Sequence, residues 1–403
     1  MKDNNAVLEK VVLFHMVIMG FGGEERLLFE EHKYFKKKGV DTKILTFKLR
    51  KEAFDKYYDE IINDIEVVRG RNLPEQVLML RKRLLKINPD VVITACGWVP
   101  LFLATMFTKI IYFIHIHGTI FWFPNDRSKY ALMHRRVFNE IRDTLKGHRE
   151  FTQPKPECGL KDRFLLELVA ILDYLAVRKA REIIVLTERV RWEVRKLYGR
   201  DSIIARGCLD PSIFNYSQKE DIRRKLNLHG NIKIILSVSR LDPRKRIDVL
   251  IKSFINVSNK MDNAVLVIVG TGPDEKRLKL LAEQSNCSNK ILFTGFVSDD
   301  ELWDYYHACD VFACPGWTTS PITTYEALAS NKKVVWSSEA SEPDEILNSP
   351  QVFIANPNPD SFADAFQKAL NAGIKTRVDL SDYTWNNYFE KVYEVVQRHV
   401  NIT

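Results

Sequence analysis

What most constrains this chain is an alternation kept up along almost its whole length. Short, nearly uninterrupted Val/Ile/Leu runs are separated by segments of helical periodicity. The runs lie at 11–19, 42–47, 91–95, 110–116, 183–187, 232–238, 264–269, 290–293, 311–313 and 333–336. A strand apolar along its whole length, not at every second residue, is buried on both faces, which is the situation of parallel strands covered by helices. The intervening segments 26–38, 76–86, 165–181, 188–197, 246–260 and 273–284 supply those helices. The reading is therefore an α/β chain with parallel sheets.

The series restarts. One strand–helix run ends near Gly199 and a second opens near Ile232, with the polar stretch 206–219 as the connection. A length of 403 residues also calls for more than one core. The expected domains are 1–205, with an insertion at about 124–161, then 206–384, then a terminal segment 385–403. Two such Rossmann-like domains facing each other create a cleft lined by the carboxyl ends of both sheets, where ligands bind in open α/β folds.

Composition narrows the setting. None of the six cysteines forms a CxxC pair, which fits free thiols better than a zinc or disulfide framework. The first 19 residues lack the pattern of a signal peptide. The greasiest stretch, 98–123, is broken by Lys109, His115 and His117, short of the roughly 18 apolar residues of a membrane span. The expected location is cytoplasmic, with a peripheral position at the inner membrane face left open. The net charge of +8 is uneven: 38 Lys/Arg against 27 Asp/Glu through residue 206, and 22 against 25 afterwards. The basic half suits an anionic membrane surface or a phosphorylated substrate, or is simply a solvated surface. No basic stripe interleaved with aromatics supports nucleic acid as a partner.

Four segments carry candidate chemistry. In Ser237–Asp248, Arg240 and Lys245 flank a Pro-containing turn between a strand and a helix, where a planar fork and a point charge can hold a diphosphate. A basic surface turn is the plain alternative. In Cys314–Asn331, Ser320 and Pro321 read as a helix start, so the N–H groups of Ile322, Thr323 and Thr324 can bind an anion. Glu326, one turn in, either complements the helix dipole or accepts a ribose diol. Gly20–Glu25 follows the first strand but is not GxGxxG. His115 and His117 share one face of a strand end; no third metal ligand stands out beside them.

Together these pieces resemble the retaining nucleotide-sugar glycosyltransferases of family 4, which have the GT-B fold. The resemblance is strongest over residues 232–362, in SRLDPRK ending at Lys245, VGTGP at 269–273, FTGFV ending at Val297, DVFACP at 310–315, YEALA from Tyr325, and Glu345-Ile346. It is looser in the first half, at Gly22, Gly23, His117 and Gly118. The terminal segment after Tyr383-Thr-Trp385 looks like the family's last helix, which returns to the first domain.

The resemblance implies an enzyme moving a hexosyl-type sugar from a nucleoside diphosphate sugar to an acceptor with retention, in glycan biosynthesis, with no metal and no cofactor beyond the donor. Arg240 and Lys245 would neutralise the leaving diphosphate, Glu326 would bind the ribose, and Val297 would lie beside the base. The N–H groups at Ile322, Thr323 and Thr324, with Gly22 and Gly23, would cradle phosphate, and His117 would contact the transferred sugar. The acceptor would be lipid-linked or at a membrane surface.

One departure stands out. The family usually carries Glu-x7-Glu, and here the first Glu is Thr318. Either Thr318 or Thr319 bonds the sugar instead, or the donor is unusual, or activity is reduced. A nonenzymatic nucleotide-sugar-binding protein, or another GT-B enzyme such as an epimerase or phosphorylase, is the alternative.

Overall fold

The computed structural model describes residues 8–19, 23–50, 59–118, 120, 160–207, 209–258, 263–316, 322–340, 342–373 and 376–400. The chain forms two compact units, Met1–Gly207 with Trp385–Thr403, and Cys208–Thr384. Of the expected insertion, 124–159 lies outside the described residues; Leu160–Lys179 is a helix.

The strands of the first unit are β1 (Lys10–His15), β2 (Val17–Ile18), β3 (Asp41–Thr46), β4 (Lys48–Leu49), β5 (Ile65–Val67), β6 (Val91–Cys96), β7 (Tyr112–Ile116), β8 (Ile183–Val185) and β9 (Ile203–Ile204). Seven of them make one sheet in the order β5-β3-β1-β6-β7-β8-β9, and every pairing is parallel. Val11, Val12, Leu13 and Phe14 are fully buried, as a strand covered on both faces requires. The order turns back on itself between β1 and β6. That switch point leaves an opening at the strands' carboxyl ends.

Helix boundaries follow local chemistry. Asn72 accepts from the Glu75 N–H, and Asn88 closes helix Leu73–Ile87 in the left-handed conformation. Thr187 and Gly199 do the same for Glu188–Tyr198. The terminal helix Trp385–Val400 belongs to the first unit. It buries Tyr388, Phe389, Val392 and Val396 there, and Glu390 bonds Tyr34 of helix Gly23–Lys37 and Lys38 just past its end.

The second unit holds β10 (Lys233–Val238), β11 (Ala264–Val269), β12 (Ile291–Gly295), β13 (Val311–Cys314), β14 (Lys333–Ser337) and β15 (Val352–Ala355). Their order is β12-β11-β10-β13-β14-β15, again all parallel. Helices Ile247–Ser258 and Pro359–Asn371 put Phe254, Phe362 and Phe366 into one core with Ile235, Leu266 and Val311 of the sheet. Here the switch point lies between β10 and β13.

Candidate active site

In the second unit the segments singled out from sequence converge on that switch point. After β10 the chain passes Ser239, Arg240 and Leu241 and enters a 3-10 turn, Pro243–Lys245. Asp242 caps this turn by accepting from the Arg244 N–H at 3.0 Å, and Arg246 takes a left-handed conformation (φ 51°) that starts helix Ile247–Ser258. The turn is braced from β11. Leu241 N–H donates to Thr271 O (2.9 Å) and Asp274 N–H to Leu241 O (3.0 Å). A Cβ at Gly270 would collide with Ser239 O, and one at Gly272 with Leu241 O. The GTG turn, unspecific by itself in the sequence, is thus the support that lets two backbones touch.

The four cations of this turn have different fates. Arg244 pairs with Asp242 (3.1 Å), and Arg246, itself buried, pairs with Glu339 (2.5 Å). Arg240 is exposed. Lys245 points into a recess with Ser239, Cys314, Pro315, Gly316 and Thr323 on its walls. Among the described residues the Lys245 ammonium makes neither a hydrogen bond nor an ion pair, while its backbone N–H donates to Asp242 O at 2.9 Å. Burial pushes its ammonium below the usual lysine range, partly offset by nearby Cys314. The Ser239 and Thr324 hydroxyls are also buried with no partner among the described residues. Buried polar groups are normally bonded. Of these, Lys245 and Ser239 line the recess, an arrangement that can receive an anion.

Thr323 brings the start of helix Ile322–Ala329 to this recess. The first-turn N–H groups of Ile322, Thr323 and Thr324 have no acceptor within the helix, and they add partial positive charge. Glu326, one turn in, is buried and accepts from Tyr306 Oη at 2.9 Å. Val297 is half-buried just after β12, two strands from β10, and does not line the recess. Thr318, Thr319 and Gly22 lie outside the described residues.

In the first unit Gly23 opens its helix, and His117 follows β7. The shared face of His115 and His117 is real: their rings are 5.8 Å apart, and Tyr388 Oη of the terminal helix sits 3.5 Å from a nitrogen of each. Burial pushes His117 down to about 4. His115 Nδ1 lies 3.5 Å from Glu31, whose carboxyl burial raises to about 8. Tyr306 and Tyr388 escaped the sequence reading. Each arrives from an element without a local signal linking it to its partner, 20 residues away for Glu326 and 271 for His117.

Residues 218–386 match the family described as Glycosyl transferases group 1. A protein of Methanocaldococcus jannaschii named uncharacterized glycosyltransferase MJ1607 is 28% identical over 234 residues, 55% of this chain and 58% of its own. The GDP-mannose-dependent alpha-(1-6)-phosphatidylinositol monomannoside mannosyltransferase of Mycobacterium tuberculosis is 30% identical over 161 residues, 38% of this chain and 42% of its own. In both cases the match spans less than two thirds of the relative. The crystal structure of a glycosyltransferase from Rickettsia africae ESF-5 superposes with a TM-score of 0.67 at 18% identity, covering 97% of this chain and 99% of that one. The fold is GT-B.

Proposed function

We propose that this protein is a retaining glycosyltransferase that uses a nucleoside diphosphate sugar and no metal on the diphosphate. The observation carrying this reading is Lys245, a cation without a partner among the described residues, in a recess at the β10–β13 switch point beside a helix N-terminus. Lys245, with Arg240 and the N–H groups of Ile322, Thr323 and Thr324, neutralises the diphosphate as it leaves. Glu326, held by Tyr306, accepts the ribose hydroxyls, and Val297 borders the base. From the first unit, His117, kept neutral by burial, contacts the sugar, and Gly22 and Gly23 approach phosphate. Thr318 or Thr319 stands in for the absent carboxylate. The C1–O bond to the diphosphate breaks while the acceptor oxygen attacks C1 from the same face. The acceptor's proton passes to a leaving phosphate oxygen, so no enzyme nucleophile is needed.

A lipid-linked or membrane-surface acceptor suits the first unit. The mycobacterial relative is named for a phosphatidylinositol glycolipid. Of the basic residues available for headgroups, Lys36, Lys38 and Arg83 are paired with Asp64, Glu390 and Glu66, and Arg81 bonds backbone carbonyls. Lys37 and Lys82 are left, and helix Leu160–Lys179 exposes Phe164, Leu165, Leu168 and Ile171. Among the described residues no helix is long and apolar enough to cross a membrane. Contact would therefore be lateral, through apolar side chains and a few cations.

A thermal-shift screen of UDP, GDP, ADP and TDP, their monophosphates and their hexose conjugates tests the reading, because a ligand of the folded state raises its apparent stability. One diphosphate series should raise the transition and its monophosphate should raise it far less. No response to any of them refutes the reading. A response without turnover favours the nonenzymatic binding protein that Thr318 leaves open.

A further inference from the structure

The switch point of the first sheet holds a second cluster. β1 ends at His15 and β6 at Cys96, and the register pairs these two residues directly. A bulge at Phe14/His15 and the Met16 N–H to Cys96 O bond (2.9 Å) fix that pairing. Gly97, at φ 101°, lets the two chains close up, since a Cβ there would meet Met16 Cβ at 2.7 Å. Glu24, in the first turn of helix Gly23–Lys37, reaches back to His15. One ligand atom each from His15, Glu24 and Cys96 lies within 4.8 Å of the others.

The hydrogen bonds of His15 do not balance for a neutral ring. Nδ1 is 2.9 Å from Val17 O and Nε2 is 3.2 Å from Glu24 Oε1, and both of those oxygens are acceptors. A neutral imidazole has one N–H and can satisfy only one of them. A cation between Nε2 of the ring, 3% exposed, and the carboxylate would satisfy both. Nδ1–H donating to a backbone carbonyl while Nε2 faces outward is the arrangement that orients metal-bound histidines. The thiol settles which kind of cation fits. Magnesium and calcium take oxygen ligands, whereas an imidazole, a thiolate and a carboxylate suit zinc(II).

We infer that His15, Glu24 and Cys96 form a three-ligand site for a zinc-class transition metal, with water in the fourth position. Cys96 binds as the thiolate, its proton passing to solvent, and Nε2 and one Glu24 oxygen complete the protein's share. Access is through Glu24, whose side chain is about one-third exposed at 36%. The ion ties the ends of β1 and β6 to the helix that starts at Gly23. Its ligands are different residues from those proposed for the diphosphate, but Glu24 directly follows Gly23 and lies near His117, so the test reads metal uptake and not transfer activity.

The full chain, stripped of metal by chelation, is titrated with zinc(II) and, as a spectroscopic probe, with cobalt(II). One equivalent should bind and raise the thermal transition by several degrees. Cobalt should give a thiolate-to-metal charge-transfer band. Cys96→Ser should abolish the band, and Glu24→Gln should weaken binding by about 10- to 100-fold, the scale seen when a metal site loses a supporting group. Circular dichroism confirms that each variant folds, and Glu24→Gln carries the test if Cys96→Ser does not. No uptake at micromolar zinc overturns the proposal and leaves His15 as a hydrogen-bond partner of Glu24. Equal uptake by the variants also overturns it, by placing the metal on another thiol.

Discussion

Replacing Lys245 by Met separates binding from stability in a way few substitutions do. Methionine keeps the aliphatic bulk and removes the ammonium. In the free protein that ammonium sits in a recess without an ion pair, and burial has already pushed its pKa down. Desolvation disfavours the charged form, so Lys245→Met should leave the thermal transition unchanged or raised. With ligand the sign reverses. A hydrogen bond to a charged group contributes about 1.5–3 kcal/mol, so losing it should weaken nucleoside diphosphate binding about 10- to 150-fold. The corresponding monophosphate should lose less, because it lacks the second phosphate. Calorimetric titration gives the affinities and differential scanning gives the transition. A variant that is clearly destabilised yet binds the diphosphate like wild type would refute the assignment, making Lys245 a structural residue.

Three further outcomes follow from particular contacts. Gly272→Ala forces a Cβ against Leu241 O. Strain of that kind should cost about 1–3 kcal/mol in denaturant unfolding of the second unit and loosen the diphosphate turn with it; an unchanged midpoint argues against the bracing role. Glu31 should make the first unit less stable as pH rises. Its folded pKa of about 8 lies above the usual carboxylate range, so the folded state holds an extra proton in between. From pH 7 to 8 wild type should lose about 1 kcal/mol more than Glu31→Gln, a comparison in which the histidines common to both cancel; parallel pH profiles contradict this. Cosedimentation with phosphatidylinositol vesicles should fall with added salt and with Phe164→Ser/Leu165→Ser, whereas binding indifferent to lipid charge, salt and these residues removes the membrane-surface acceptor.

The central strands were readable because burial on both faces leaves mostly Val, Ile and Leu, as in β1, β10 and β11. The missed strands are mostly edges: β5, β9 and β15 have one neighbour each, are short, and are only partly buried. Helix Trp98–Thr105 was hidden in a stretch too uniformly apolar to show periodicity. Helix Pro359–Asn371 begins at Asn358-Pro359, which reads equally as a turn until the Asn358 side chain is seen accepting from Ser361 N–H. The turn at 239–246 was legible because its cations, proline and strand are contiguous. What was not legible is which charged groups already have partners, since those of Arg246 and Glu326 lie 93 and 20 residues away. The His15, Glu24 and Cys96 cluster was invisible for the same reason: a strand register, not a spacing, brings it together.

The most direct test of the whole account is donor turnover. Nucleoside diphosphate hexoses are incubated one at a time with the full chain and phosphatidylinositol vesicles, and donor, free nucleoside diphosphate and hexosyl product are followed by NMR and mass spectrometry. One donor should be consumed with matching release of its diphosphate, its sugar keeping the donor's anomeric configuration, and Lys245→Met should suppress the reaction. Consumption of no donor, inversion of the sugar, or a rate indifferent to Lys245→Met would contradict it.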